Sequence, residues 1–316
     1  MSTKILVIGA TGQVGSELIL ALRQKYGLAN VVAGLNKTAP NANLKARPCE
    51  IVDISNRDSI KAVLQKYQIK VIYHLAALLS VTGEKNPDLA WQVNLLGLKN
   101  VLDEATANKI ERVFWPSSIA AFGPHTPREK TPQYTTMDPT TMYGLTKLAG
   151  ELLCQYYFKK YNLDVRSLRY PGLISYKTLP GGGTTDYAIA IFHEALKHRR
   201  YACFLNENTV LPMMYMPDAV RAAIELMEAP VQKISIHTSY NLAAISFSVQ
   251  DLVQEIQKHL PDFKHNCIPD ERQKIADSWP QSIDDSSARR DWNWQEEYDL
   301  ARMTVDMLKN LKDKIK

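Results

Sequence analysis

The chain has 316 residues but only four cysteines, Cys49, Cys154, Cys203 and Cys267, all far apart and with no C-x-x-C among them. A disulfide scaffold is therefore excluded, and free thiols in a reducing compartment are the expectation. The seven histidines are equally dispersed, so no Cys/His pattern with zinc-ligand spacing exists, and the expected metal content is none. No apolar run is long enough to span a bilayer, and only a few residues precede the first apolar segment, which leaves no room for a leader. The expectation is a cytoplasmic protein that binds no membrane. A net charge of +5 is small for this length. Arg199-Arg200 and Arg289-Arg290 are isolated pairs on a solvated surface, and Lys309 to Lys316 reads as the fraying end of an amphipathic helix. No basic run is dense enough for nucleic acid. Internal repeats and low-complexity segments are also missing.

What is present is an alternation of short apolar runs with helical segments. Lys4 to Ile8 is a strand that leads straight into Gly9-Ala-Thr-Gly12-Gln-Val-Gly15, and a helix follows from Ser16 to Tyr26. Strand, glycine turn and helix together give a glycine fingerprint its meaning. Gly9 permits the tight turn, Gly12 lets backbone approach a pyrophosphate, and Gly15 allows helix to pack on strand. The helix N-terminus adds free N–H groups and a partial positive charge. Further strands are expected at 31–34, 46–52, 71–74, 112–116 and 164–169. Helices are expected at 57–66, around 90–107, and from Tyr143 to Tyr161. Repeated βα units predict an α/β fold, a doubly wound parallel sheet of the Rossmann type. A smaller C-terminal α/β lobe should cover the substrate.

Ligands of such sheets bind beyond the strand C-termini. The residues there, with the glycine turn, make up the expected dinucleotide envelope: Gly9, Thr11, Gly12, Gln13, Val14, Gly15, Leu35, Asn36, Asp53, Ile54, Leu75, Ala76, Ala77, Asn94, Tyr143, Lys147, Tyr170 and Gly172. Asp53 suits either an adenine amino group or the N-cap of the next helix. The acid that usually holds the adenine ribose is replaced by Leu35, followed by Asn36 and Lys37. NAD is the first choice of coenzyme, and Lys37 leaves NADP compatible.

The chemistry is carried by Tyr143 and Lys147, which lie at i and i+4 and so share one helix face. An ammonium beside a phenol favours phenolate, so Tyr143 is expected to exchange a proton well below its ordinary pKa. Oxidation of an alcohol needs such a base while a nicotinamide takes hydride. An isolated Tyr-x-x-x-Lys is usually a packed aromatic next to a solvated lysine. Here Phe114-Trp-Pro-Ser117-Ser118 places two hydroxyls at a strand end upstream, where Ser118 can orient the reacting hydroxyl.

This trio, with the fingerprint, resembles the short-chain dehydrogenase/reductase superfamily. The G-x-x-G-x-x-G spacing and the length are similar to its extended, epimerase/dehydratase-like branch, although Phe122-Gly123 stands where Tyr-Gly is usual. The blocks His74 to Glu84, Leu168 to Gly172, Pro180-Gly-Gly-Gly-Thr-Thr-Asp-Tyr187 and Leu211-Pro-Met-Met-Tyr215 resemble the metal-independent L-threonine 3-dehydrogenase family over nearly the whole chain. The resemblance implies NAD-linked oxidation of the L-threonine 3-hydroxyl to 2-amino-3-ketobutyrate, with Tyr143, Lys147 and Ser118 catalytic. It also implies substrate contacts from Ser80, Ser117, Ser118, Tyr143, Thr184 and Thr185, and a homodimer built on the Tyr143 helix and the helix near 90–107. A nucleotide-sugar epimerase or reductase of the same branch, and a non-catalytic dinucleotide-binding regulator, are the alternatives.

After Gly172 the rhythm loosens. Helices are expected at 187–198, 217–227 and 249–259, with short strands at 240–242 and 266–268. The expected division is 1–172 for the dinucleotide-binding domain and 173–316 mainly for the substrate lobe, with about 206–230 returning to the first. Trp279 either folds over the substrate or packs in the ordinary way. Met213, Met214, Trp292 and Trp294 read as core.

Overall fold

A computed structural model describes residues 3–36, 48–181 and 183–315. In chain order the first half contains β1 (Ile5–Ile8), α1 (Gln13–Tyr26), β2 (Val31–Leu35), β3 (Cys49–Ile51), α2 (Arg57–Tyr67), β4 (Val71–His74), α3 (Ser80–Lys85), α4 (Pro87–Ala90), α5 (Gly97–Ala107), β5 (Arg112–Ser118), α6 (Met142–Tyr161) and β6 (Asp164–Tyr170). The second half adds β7 (Gly172–Ile174), α7 (Tyr187–His198), β8 (Arg200–Cys203), β9 (Val210–Tyr215), α8 (Met216–Glu228), β10 (Tyr240–Asn241), β11 (Ile245–Ser248), α9 (Val249–His259), β12 (Lys264–Cys267), α10 (Arg272–Asp277), α11 (Ser286–Trp292) and α12 (Leu300–Ile315).

Seven strands form one sheet in the order β10-β6-β5-β4-β1-β2-β3, and every pair in it is parallel. All four residues of β1 and all five of β2 are buried, as expected for strands covered by helices on both faces. One face packs on α1 and α8 through Leu18, Ile19, Leu22, Ala219 and Ala223. The other packs on α2, α5 and α6 through Ile60, Leu64, Leu98, Leu102 and Cys154. A third core, with Phe192, Val253, Phe263 and Met307, lies in the C-terminal lobe. That lobe also holds a three-stranded sheet, β11-β9-β7, and a parallel pair, β12-β8.

Several elements differ from expectation. Helix α1 begins at Gln13 rather than Ser16, because the glycine turn is itself the first turn: Gly12 N–H donates to the Gly9 carbonyl at 3.1 Å and Ser16 N–H to that of Gly12 at 2.9 Å. The segment 87–107 is not one helix. A π-helical turn, Trp91–Leu96, separates α4 from α5 and rotates Asn94 inward. Helix α2 is capped by Asn56, which accepts from the backbone of Asp58 and Ser59, so Asp53 is not the cap. Helix α12 is a docked helix whose Met303, Met307 and Leu311 are fully buried, so the end of the chain does more than fray. Met213, Met214, Trp292 and Trp294 are core. Residues beyond Gly172 return to the large sheet and its core, among them 216–228, the β10 strand with Ile234 and Ile236 before it, and Ala288 with Trp292 and Trp294. Among the described residues no helix is long and apolar enough to cross a membrane.

Candidate active site

The C-terminal ends of β1, β4, β5 and β6 open onto a cavity of about 250 Å³. Its wall brings together Gly9, Gly12, Gln13, Val14, Gly15, Leu75, Ala77, Ser80, Ser117, Ser118, Tyr143, Lys147, Tyr170, Gly172, Thr184, Thr185 and Trp279. Residues 270 apart in sequence therefore meet at one place.

The glycine turn fills the space beneath this cavity with backbone. Gly9 has φ +85° and its N–H donates to the Gly34 carbonyl at 3.0 Å, which clamps the turn to β2. A Cβ on Gly9 would lie 2.7 Å from the Ala76 nitrogen, and one on Gly15 would lie 2.1 Å from the Gly9 carbonyl oxygen. Only glycines let the three segments approach this closely. The result is a cradle of backbone at a helix N-terminus, the arrangement that suits a pyrophosphate.

Strand β5 and helix α6 build the reactive corner. Thr141 caps α6 by accepting from the Gly144 N–H at 3.0 Å. Gly144 packs so tightly on the turn after β5 that a Cβ there would lie 2.1 Å from the Ala120 carbonyl oxygen. Tyr143, in the first turn, is thereby set against Ser118, whose hydroxyl hydrogen-bonds the phenol and accepts from the Ala120 N–H at 3.2 Å. One turn on, Lys147 Nζ donates to the Pro116 carbonyl at 2.6 Å. The ammonium lies 4.5 Å from the Trp115 ring centre and 5.5 Å from that of Tyr143.

The electrostatics correct one expectation. Burial pushes the Tyr143 phenol up to about 12, and the Ser118 hydrogen bond only partly offsets it. Burial also pulls the Lys147 ammonium down to about 7, against the pull of Cys154 and Glu151. The Tyr143 phenol is therefore not lowered in this arrangement, because desolvation outweighs the Ser118 hydrogen bond. His74, at the end of β4, has both ring nitrogens buried without a protein partner, and burial followed by the Lys147 charge holds it down at about 3.

The substrate candidates divide. Thr184 is 1% exposed and its hydroxyl has no protein partner. Thr185 presses its methyl towards Gly172, where a Cβ would meet it at 2.7 Å. Ser80 starts α3 on the cavity wall, and Trp279, 7% exposed, already forms part of that wall. Ser117 also lies on the wall, but its hydroxyl proton goes to Glu151 Oε1 at 2.6 Å rather than into the cavity.

Thr11, Leu35, Asn36, Asp53, Ile54, Ala76 and Asn94 are not on this wall. Leu35 is buried in the sheet core and Asn36 is exposed, while Lys37 lies outside the described residues. The Asp53 carboxylate accepts from the Ser55 N–H at 2.9 Å and hydroxyl at 2.7 Å. Ile54 packs into the core beneath α5, and Ala76 packs below Gly9. Asn94 accepts from the Leu78 N–H at 2.7 Å and donates to the Leu78 carbonyl at 3.0 Å, so it holds the loop after β4 in place.

Sequence reasoning did not assign Asp186, which lines the cavity and accepts from Gly181 and Gly183 N–H at 2.6 and 2.8 Å. It also missed the apolar wall of Leu79, Ile119 and Leu173, which carries no motif. Among the described residues no group of three His, Cys, Asp or Glu could hold a metal ion.

Residues 5–243 match the model of the NAD dependent epimerase/dehydratase family. An uncharacterized epimerase/dehydratase of Staphylococcus haemolyticus is 47% identical over 98% of both chains. The holo form of a GalE-like L-threonine dehydrogenase from Cupriavidus necator is 52% identical, with a TM-score of 0.94 over 98% of this chain and 99% of that one. A monomeric L-threonine 3-dehydrogenase of metagenomic origin is 47% identical, with a TM-score of 0.94 over 99% of this chain and 100% of that one.

Proposed function

The chain belongs to the NAD dependent epimerase/dehydratase family, and on that premise we propose that it oxidises the 3-hydroxyl of L-threonine to 2-amino-3-ketobutyrate with NAD as coenzyme. The observation that carries the reading is the meeting of Ser118, Tyr143 and Lys147 with the unpartnered Thr184 hydroxyl around one small cavity. About 250 Å³ suits an amino acid beside a nicotinamide ring. The solved relative named as an L-threonine dehydrogenase at 52% identity supports the substrate class.

The residues present fit a dinucleotide. The backbone cradle of Gly9, Gly12 and Gly15 would hold its pyrophosphate, and Lys147 would reach the nicotinamide ribose. When bound, the nicotinamide supplies the hydride acceptor. Ser118 orients the substrate hydroxyl against the phenol. Tyr143 accepts the hydroxyl proton through its oxygen. A phenol held near 12 releases its own proton only when positive charge is added around it, that of a bound, positively charged nicotinamide together with that of Lys147 while it is protonated. Thr184 supplies a hydroxyl to the amino acid's carboxylate or ammonium, which removes the cost of leaving that buried group unpaired. NAD is the proposed coenzyme, with Leu35 in place of a ribose-binding acid leaving NADP compatible. A homodimer through α6 and the 87–107 segment belongs to the same reading.

The test is coenzyme reduction by the purified protein with L-threonine, L-allo-threonine, L-serine or a UDP-sugar, using NAD and NADP in parallel. L-Threonine-dependent NADH formation supports the proposal. Reaction with the UDP-sugar alone overturns it.

A further inference from the structure

Helix α6 presents Tyr143, Lys147 and Glu151 at i, i+4 and i+8, one face in three successive turns. Glu151 is 1% exposed, and a carboxylate so deep requires partners. Its Oε1 accepts from the Ser117 hydroxyl at 2.6 Å and from Arg169 Nε at 2.9 Å, while Oε2 accepts from Arg169 Nη2 at 2.7 Å. Arg169, 3% exposed, continues outward through Nη1 to the Gln133 carbonyl at 3.0 Å and to Asn241 Oδ1 on β10 at 2.9 Å.

These bonds close a ring with the catalytic corner. Lys147 donates to the Pro116 carbonyl, Ser117 is the next residue, and Ser117 donates to Glu151, one helical turn from Lys147. The end of β5 is thus tied to α6 at two adjacent residues, Pro116 and Ser117, immediately before Ser118. We propose that Glu151 is a positioning residue for the Tyr143–Lys147 pair: its carboxylate locks the end of β5 onto α6 through Ser117 and supplies the buried anion that keeps Lys147 a hydrogen-bonding ammonium. This inference rests on the catalytic reading of Tyr143 and Lys147, and it deepens that reading without depending on the substrate.

The charge argument follows from the neighbours of Lys147. From β4, His74 is held neutral by burial and adds no positive charge near neutral pH. From α6 itself come Tyr143, Cys154 and Glu151. Burial raises both the Tyr143 phenol and the Cys154 thiol, so each is uncharged near neutral pH. From β6, Tyr170 is likewise raised by burial, and Arg169 stands behind Glu151 with its charge turned onto that carboxylate. Glu151 is therefore the anion among these groups. Burial pulls Lys147 down, Cys154 and then Glu151 oppose that pull, and of these two the Cys154 thiol is itself held protonated by burial.

The experiment is a carbon-13 NMR titration of the Lys147 ε-carbon in the full-length protein, with the signal assigned by its loss in Lys147→Met. Wild type is compared with Glu151→Gln, Glu151→Asp and the double variant Glu151→Gln/Arg169→Met, and threonine oxidation is followed over the same pH range. The expected result is a Lys147 titration displaced downward by about one pH unit in Glu151→Gln, a tenfold loss of proton affinity. The alkaline limb of kcat/KM should move with it, and Glu151→Asp should keep both near wild type. The double variant, which leaves no unpaired Arg169 buried, should recover thermal stability while its Lys147 titration stays low. An unchanged Lys147 titration in Glu151→Gln overturns the proposal. So does a double variant that restores the titration along with the stability, because Glu151 would then serve only to pair Arg169. A displaced titration in a protein that never oxidises threonine sinks the substrate assignment and leaves the role of Glu151 standing.

Discussion

Replacing Lys147 with methionine should make the protein more stable while destroying its chemistry. Burial takes the ammonium from its ordinary 10.5 to about 7. That gap corresponds to about 5 kcal/mol of unfavourable free energy at pH 7. The unfolded chain binds this proton up to about pH 10.5 and the folded chain only to about pH 7, so stability rises with pH across that window. The penalty is complete below pH 7 and shrinks by about 2–3 kcal/mol on going to pH 9. Methionine removes it but leaves the Pro116 carbonyl without its donor, a cost of about 1–2 kcal/mol. Imperfect repacking against Trp115 costs about 1 kcal/mol more. The expected net gain for Lys147→Met is about 2 kcal/mol at pH 7, which for a chain of this length raises Tm by about 3 °C. Calorimetry of both proteins at pH 7 and pH 9 measures it. The variant should be the more stable at pH 7, and its advantage should vanish at pH 9. A variant less stable than wild type at pH 7, or an advantage equal at both pH values, refutes the desolvation argument.

Gly15→Ala places a Cβ 2.1 Å from the Gly9 carbonyl oxygen, so the turn must open. NAD affinity by isothermal titration should fall by about a hundredfold or more, about 3 kcal/mol. Gly150→Ala would drive a methyl to 2.4 Å from Trp115 and should cost about 1–3 kcal/mol in denaturant unfolding, with threonine activity reduced because Trp115 lies beneath Lys147. Leu145, Leu152 and Tyr156 on α6, with Leu89, Trp91 and Leu96 on the neighbouring segment, are exposed apolar residues. Sedimentation should show a dimer that Leu152→Arg splits, and a monomeric wild type would refute the expected interface.

The central sheet was legible because its strands are short apolar runs separated by helices of ordinary length. The parallel order follows from that alternation. The glycine turn was legible because only glycine tolerates φ +85° at Gly9 and the contact at Gly15, and no other residue type stands in for it. That Ser118, Tyr143 and Lys147 meet at one cavity was readable from a strand-end serine followed by a Tyr-x-x-x-Lys helix. What the trio does electrostatically was not, because desolvation depends on what packs over Lys147 and Tyr143, and those neighbours come from β4 and β5. Ser117 shows the same limit. Sequence places its hydroxyl at a strand end, but pleating turns it toward α6 and Glu151 rather than into the cavity. Glu151 itself could have been found at i+4 from Lys147, had a buried acid been expected on that face. The small strands β7, β8, β9 and β11 were missed as strands, since three- to six-residue runs in a loop-rich lobe carry little periodicity.

The most direct test of the central claim uses L-threonine deuterated at C3, with NAD and the wild-type protein, and mass analysis of the reduced coenzyme. The account predicts deuterium in the NADH, in a reaction that Tyr143→Phe abolishes. Unlabelled NADH, or reduction that survives in Tyr143→Phe, would contradict oxidation of the 3-hydroxyl by this site.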